Sequence, residues 1–187
     1  MIKPTPTKTS STRERILLTA YDLFYQQGIR ATGVDKVIAE SGVAKLTFYR
    51  QFPSKNDLVG AFLERRHQIW MDWFSSALQR HGGNVYALVP VMTEWFGERG
   101  YRGCAFINTV GELSGDLPEV VEIARRHKQD MTQVIANLLP NTVERQEIAQ
   151  TLAMAVDGAI IRAQYDQTPD TALAALERIV RALFART

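Results

Sequence analysis

The sequence predicts an all-α protein, with an N-terminal three-helix helix-turn-helix unit and a larger C-terminal helical domain, about nine helices in all. Three observations predict it. Apolar residues recur with helical period, and no alternating strand pattern of useful length or internal repeat interrupts them. Capping signatures and Gly or Pro breaks punctuate the chain at helix-sized intervals. Finally, the stretch TGVDKVIAESGVAKLTFYRQFPSKNDL, residues 32–58, compresses two short helices, a turn at Gly42 and the start of a longer helix into one unit.

Ser11 and Glu14 form a Ser-x-x-Glu capping box that opens the first helix. Ile16, Leu17, Ala20, Leu23 and Phe24 give it one apolar stripe, and Gly28 ends it. A second helix starts near Thr32–Gly33, with Asp35 placed to reach back to Thr32, and buries Val34, Val37 and Ile38. Gly42 makes the turn into a third helix over about 44–51, stopped by Pro53. Ser54 and Asp57 cap a long fourth helix over roughly 55–80, which ends at His81-Gly82-Gly83. Further helices are expected near 84–98, 104–114, 119–138, 143–166 and 170–185. They are separated by the Gly97/Gly100/Gly103 cluster, Gly115–Pro118, Pro140-Asn141 and Thr168-Pro169.

The 187 residues suffice for one large or two small domains. The reading divides them into a polar N-terminal arm (1–10), a helix-turn-helix domain (11–54) and a helical effector-binding and dimerisation domain (55–187). No apolar run approaches the ~18 residues of a membrane span, and the N-terminus lacks the apolar core of a secretory signal. The single cysteine, Cys104, excludes an intramolecular disulfide framework and fits a reducing cytoplasm. Charge is uneven. Residues 1–66 hold 11 Lys+Arg against 6 Asp+Glu, and residues 67–187 hold 11 against 14. The basic excess therefore falls on the helix-turn-helix segment, as expected of a phosphate-binding domain joined to a domain with another job.

Within that segment, Val43, Phe48 and Phe52 form the inward face of the third helix. Lys45, Thr47, Tyr49 and Arg50 are left to meet a phosphate backbone. Lys36 is a candidate for a further phosphate contact, and Leu46 could pack on a thymine methyl. GVAKLTFYRQFPSKNDL resembles the TetR family of bacterial transcriptional regulators, whose usual pattern is close to G-V-S-x-G-T-x-Y-x-[HY]-F-x-[SN]-K-x-x-L. The resemblance is specific over about residues 11–65 and architectural beyond. It implies that Thr47 and Tyr49 touch phosphates or base edges and that Lys55, at a helix N-terminus, touches a phosphate. Ala44 stands where a capping Ser is common, a loss of about 1 kcal/mol in general, and Leu46 stands where Gly is frequent. Both departures obscure the base preference.

Two readers one DNA turn apart match a palindromic site, so a homodimer is expected. The last helix pair is its best source of surface. Leu152, Ala155 and Ala159 mark one strip and Leu176, Ile179 and Leu183 another, although both strips could be buried inside one subunit. The resemblance implies that this pair forms a four-helix bundle with its mate. In the middle of the chain, Trp70, Phe74, Trp95, Tyr101 and Phe106 could line a partly apolar effector pocket, with Asn108, Glu112 and His127 as its polar groups. Taken singly, each aromatic is equally at home in a core. Cys104 follows Gly103 at a helix start, near Arg102, a setting that favours thiolate chemistry, while a small buried gap-filler is the plainer role.

His67, His81 and His127 lack metal-ligand spacing, no Gly-rich loop follows a strand, and no nucleophile has a base and an orienting partner. No cofactor, metal, membrane association or enzymatic activity is expected. The expectation is a cytoplasmic, effector-responsive DNA-binding regulator, a repressor acting on an operator in double-stranded DNA. The alternatives are a redox or electrophile sensor acting through Cys104, and, from other classes, an all-helical architectural protein or an enzyme with an incidental helix-turn-helix.

Overall fold

The computed structural model of the chain describes residues 11–184. The arm expected over residues 1–10 lies outside them. Among the described residues the elements are α1 (Thr12–Gln27), α2 (Val34–Ser41), α3 (Lys45–Gln51), α4 (Lys55–Arg80), α5 (Leu88–Phe96), α6 (Ala105–Leu113), α7 (Glu119–Ala136), α8 (Arg145–Tyr165) and α9 (Asp170–Phe184), with no strand. A 3-10 turn, Val85–Ala87, precedes α5, so the helix expected over 84–98 is shorter and split at its start. The described residues form two compact units. One comprises residues 11–70 with Ala105–Ala124. The other comprises Met71–Cys104 with residues 125–184.

In the first unit the Ser11 hydroxyl accepts the Glu14 amide at 3.2 Å, satisfying one orphan N–H of α1. Glu14 turns its carboxylate to Arg65, at 3.1 Å. One side of α1 buries Ile16, Leu17, Ala20, Tyr21, Leu23 and Phe24. Phe62 of α4 packs edge-on against Tyr21 and Phe24, with ring centroids 5.7 and 5.5 Å away. Each such buried side chain contributes about 1.5–3 kcal/mol relative to exposure. Arg66 is almost fully buried. Its Nη1 donates to the Tyr21 hydroxyl at 2.7 Å, and its guanidinium lies 4.4 Å from the Tyr25 ring centroid, contacts that offset the cost of burying its charge. The expected Thr32–Asp35 cap of α2 does not form. Gly33 is the N-cap, without a side-chain bond. Thr32 is buried and donates its hydroxyl to the Gly28 carbonyl at 2.8 Å, while Asp35 pairs with Lys45.

In the second unit α8 and α9 pack on each other. Leu152, Val156, Ala159 and Ile160 of α8 are buried, as are Ala172, Leu176 and Val180 of α9. Leu152, Ala159 and Leu176 are core of their own unit, and Ala155 is half-buried; only Ile179 and Leu183, 38% and 36% exposed, offer surface. The physical reason is that the most continuous apolar stripe of α8 is the one its own subunit consumes. The outward stripe is Met154, Gly158, Ile161 and Tyr165 (i, i+4, i+7, i+11), with Met154 72% and Tyr165 64% exposed. Trp95 is the centre of an aromatic cluster with Trp73, Phe96 and Tyr101, at centroid distances of 6.2, 6.1 and 5.5 Å. The Tyr101 hydroxyl donates to the Ile160 carbonyl at 2.9 Å, fixing that cluster to α8.

Candidate nucleic-acid interface

The geometry of α2 and α3 is set at Gly42. Its backbone is left-handed, φ 64° and ψ 32°, which non-glycine residues adopt at a cost. The Gly42 and Val43 amides donate to the Ala39 and Ile38 carbonyls at 3.3 and 3.4 Å, closing α2 and reversing the chain within two residues. Ala44 then opens α3 with no side-chain cap, as the sequence implied. Phe48 and Phe52 are buried, and Val43 is nearly so. The Arg13 guanidinium stacks 4.7 Å from the Phe52 ring centroid. Apolar anchoring on one side of a seven-residue helix fixes which side faces out, because a helix this short cannot hold itself.

That outer side carries Lys45, Leu46, Tyr49 and Arg50, all exposed, with Thr47 half-buried. Leu46 is 66% exposed, a position no packing demand within the chain explains. The Tyr49 ring sits edge-on to buried Phe48, centroids 5.2 Å apart, which holds its hydroxyl outward. Lys45 reaches Asp35 at 3.3 Å. Lys36 donates to the Gln27 side chain at 2.6 Å and lies 4.0 Å from Glu40. These exposed pairs are weak and can exchange for phosphate.

Lys55 stands apart from the other cations. Its ammonium donates to the Ile29 carbonyl at 2.6 Å, in the turn between α1 and α2. Burial lowers its pKa from the usual 10.5, the Glu112 carboxylate works against that, and the Arg30 charge lowers it further. In this conformation the half-buried side chain braces that turn.

The proposed pocket residues do not gather in one unit. Trp70, Phe106, Asn108 and Glu112 belong to the first; Phe74, Trp95, Tyr101 and His127 to the second. Trp70, Phe74, Trp95, Phe106 and His127 are buried. Glu112 is engaged by the backbone amides of Ile29 and Arg30. Two small cavities lie in the second unit. One, about 170 Å³, is bordered by Leu139, Arg145, Ile148 and Phe184; the other, about 200 Å³, by Tyr86, Pro90, Glu177 and Arg181. None of the pocket candidates lines either, and both are below the ~300 Å³ at which drug-sized ligand pockets begin. Cys104 is buried and acts with Asp157 to raise the Lys128 pKa, and the Lys128 ammonium donates to Asp157 at 2.5 Å.

Sequence reasoning missed two groups of residues. The outward stripe of α8 was legible as an i, i+4, i+7, i+11 spacing. The role of Glu112 toward Ile29 and Arg30, more than 80 positions away, left no local signal. Among the described residues no helix is long and apolar enough to cross a membrane, and no cluster of His, Cys, Asp or Glu has the makings of a metal site.

Residues 16–62 match the model of the bacterial regulatory proteins, tetR family. The chain is 27% identical over 109 residues to an uncharacterized HTH-type transcriptional regulator in the lacX 3' region of Lactococcus lactis, covering 56% of each chain. It is 44% identical over 48 residues to the HTH-type regulator YxaF of Bacillus subtilis, covering 26% of this chain and 25% of that one. The matched stretches thus span about half or less of these curated relatives. Over nearly the whole fold it superposes on SCO4454, a TetR-family regulator from Streptomyces coelicolor, with TM-score 0.79, 25% identity, and 91% of this chain and 95% of that one covered. The reduced form of E. coli NemR aligns with TM-score 0.72 and 25% identity, covering 90% and 97%.

Proposed function

Because residues 16–62 match the tetR family of bacterial regulatory proteins and the fold resembles TetR-family regulators, we propose that the chain is a homodimeric, ligand-responsive transcriptional regulator of that family in the cytoplasm, a repressor released from a palindromic operator by a small molecule bound in its helical domain. The exposed face of α3 carries this reading: Lys45, Leu46, Tyr49 and Arg50 stand outward on a helix whose other side is pinned by buried Phe48. An apolar Leu46 two-thirds exposed among cations suits a DNA groove, where charge meets phosphate and apolar contact meets a thymine methyl. The stripe of Met154, Gly158, Ile161 and Tyr165, with Ile179 and Leu183 of α9, suits the mate's surface, since a monomer has no use for it. Release is a population shift: effector favours a dimer whose two readers no longer match their half-site spacing, with α4 as the lever. A mobility-shift assay on DNA flanking its own gene, with and without a metabolite extract, tests this. A shift that the extract abolishes is expected. Absence of any shift, or measurable turnover without DNA binding, overturns it, and a shift indifferent to every extract supports an architectural protein instead.

A second reading, sensing of electrophiles or oxidants through Cys104, is favoured by its cationic neighbour, Lys128. Burial pulls the Lys128 ammonium toward neutrality, but Cys104 and Asp157 outweigh it and hold Lys128 above its usual pKa. The fold's similarity to NemR, a protein with a reduced form, points the same way. Rapid alkylation of Cys104 in the folded protein, with loss of DNA binding that Cys104→Ser escapes, is the expected result. Slow alkylation removes the reading.

A further inference from the structure

The turn from α1 into α2 is held from outside the helix-turn-helix. Glu112, on α6, places its Oε2 on two successive amides, accepting from Ile29 at 2.8 Å and from Arg30 at 2.9 Å. Arg30 answers in the other direction. Its Nε donates to the Glu112 backbone carbonyl at 2.5 Å, and its guanidinium pairs with Asp116. Gly28 makes the seat: a Cβ built there would stand 3.1 Å from Glu112 Oε1, on a backbone whose φ of 86° already disfavours any side chain. The same turn leads straight into α2. The Thr32 amide donates to the Ile29 carbonyl at 3.3 Å, buried Thr32 bonds the Gly28 carbonyl, and Gly33 caps α2. From there Val37 and the Gly42 turn pass the constraint to α3. Hydrogen bonds from two amides to one carboxylate are charge-assisted and stronger than neutral ones, so this is a firm attachment.

We propose that Glu112 is a positioning residue for DNA binding, a latch by which the setting of α6 fixes the turn before α2 and thereby the pose of α3. The inference rests on the DNA-binding reading above and gives it a point of regulation. A molecule that displaces α6 would break this set of bonds and so loosen the reader. It also gives Glu112 a different task from the ligand contact expected from sequence.

The test uses the full chain and a duplex that the wild-type protein enriches from a random-sequence pool. Glu112→Ala should bind that duplex about ten-fold more weakly without any effector, within the usual range of coupling between sites. The slope of affinity against salt should stay unchanged, because the bound state keeps every phosphate contact and only the competent fraction falls. The Ile29 and Arg30 amides should exchange hydrogen about ten times faster. Glu112→Gln, which keeps an acceptor oxygen, should restore most of the affinity. If Glu112→Ala fails to fold, Arg30→Gln provides the second arm, with a smaller loss and the same unchanged slope expected. Unchanged effector-free affinity in the variants overturns the latch and returns Glu112 to a ligand-contact role. A flattened salt slope in Glu112→Ala overturns it too, since the variant then neutralises fewer phosphates. Failure of the wild type to enrich any duplex overturns the DNA-binding reading itself, and the latch with it.

Discussion

Replacing Gly42 with alanine should cost about 1 kcal/mol, and its surroundings make that figure unusually clean. Nothing lies within 4 Å of a Cβ built at Gly42, so no steric clash enters. What remains is conformational. The residue sits at φ 64° and ψ 32°, where an L-residue pays about 1–2 kcal/mol. Against this, alanine restricts the unfolded chain more than glycine does, returning about 0.4–1 kcal/mol. The net is a loss near 1 kcal/mol, or about 2–4 °C in Tm for a chain of this size. Equilibrium urea unfolding followed by circular dichroism measures it, with Gly42→Asn as the companion, because asparagine tolerates the left-handed region better and should lose less. A neutral or stabilising alanine would refute the left-handed turn. A loss beyond about 3 kcal/mol would mean crowding that the structure does not show.

Three further outcomes are expected. Lys45→Ala and Arg50→Ala should each weaken DNA binding across sequences and reduce the salt slope by about 0.9 for every phosphate left without its cation, read from binding isotherms at several salt concentrations; unchanged slopes would take α3 off the backbone. Met154→Glu and Ile161→Glu should yield monomers in sedimentation while keeping the helical signal, whereas Leu152→Ala should destabilise by about 2–5 kcal/mol without changing the oligomeric state at low temperature. Lys128→Gln should be less stable than the wild type at neutral pH. Because the folded protein holds Lys128 above its usual 10.5, that advantage is fully present below 10.5 and is lost as pH rises through the higher folded value, so the two stability curves should converge only in strong alkali.

By itself the sequence determined the helices, the turn at Gly42 and the outward face of α3. These rest on local chemistry: helical period, the Ser11 and Ser54 caps, a glycine where only a left-handed residue closes the turn, and buried Phe48 beside exposed Tyr49. The ends of α4 and α8 were legible for the same reason. Tertiary structure alone decided three matters. It chose which apolar stripe of α8 is core and which is surface, because both Leu152 and Met154 lie on helical-period stripes and only packing against the rest of the unit separates them. It set the Lys55 ammonium on the Ile29 carbonyl. It brought Glu112 onto the amides of Ile29 and Arg30, where Gly28 leaves room. A carboxylate meeting two backbone amides depends on where two distant segments meet, and backbone N–H groups, present in nearly every residue, write nothing into the sequence to announce it.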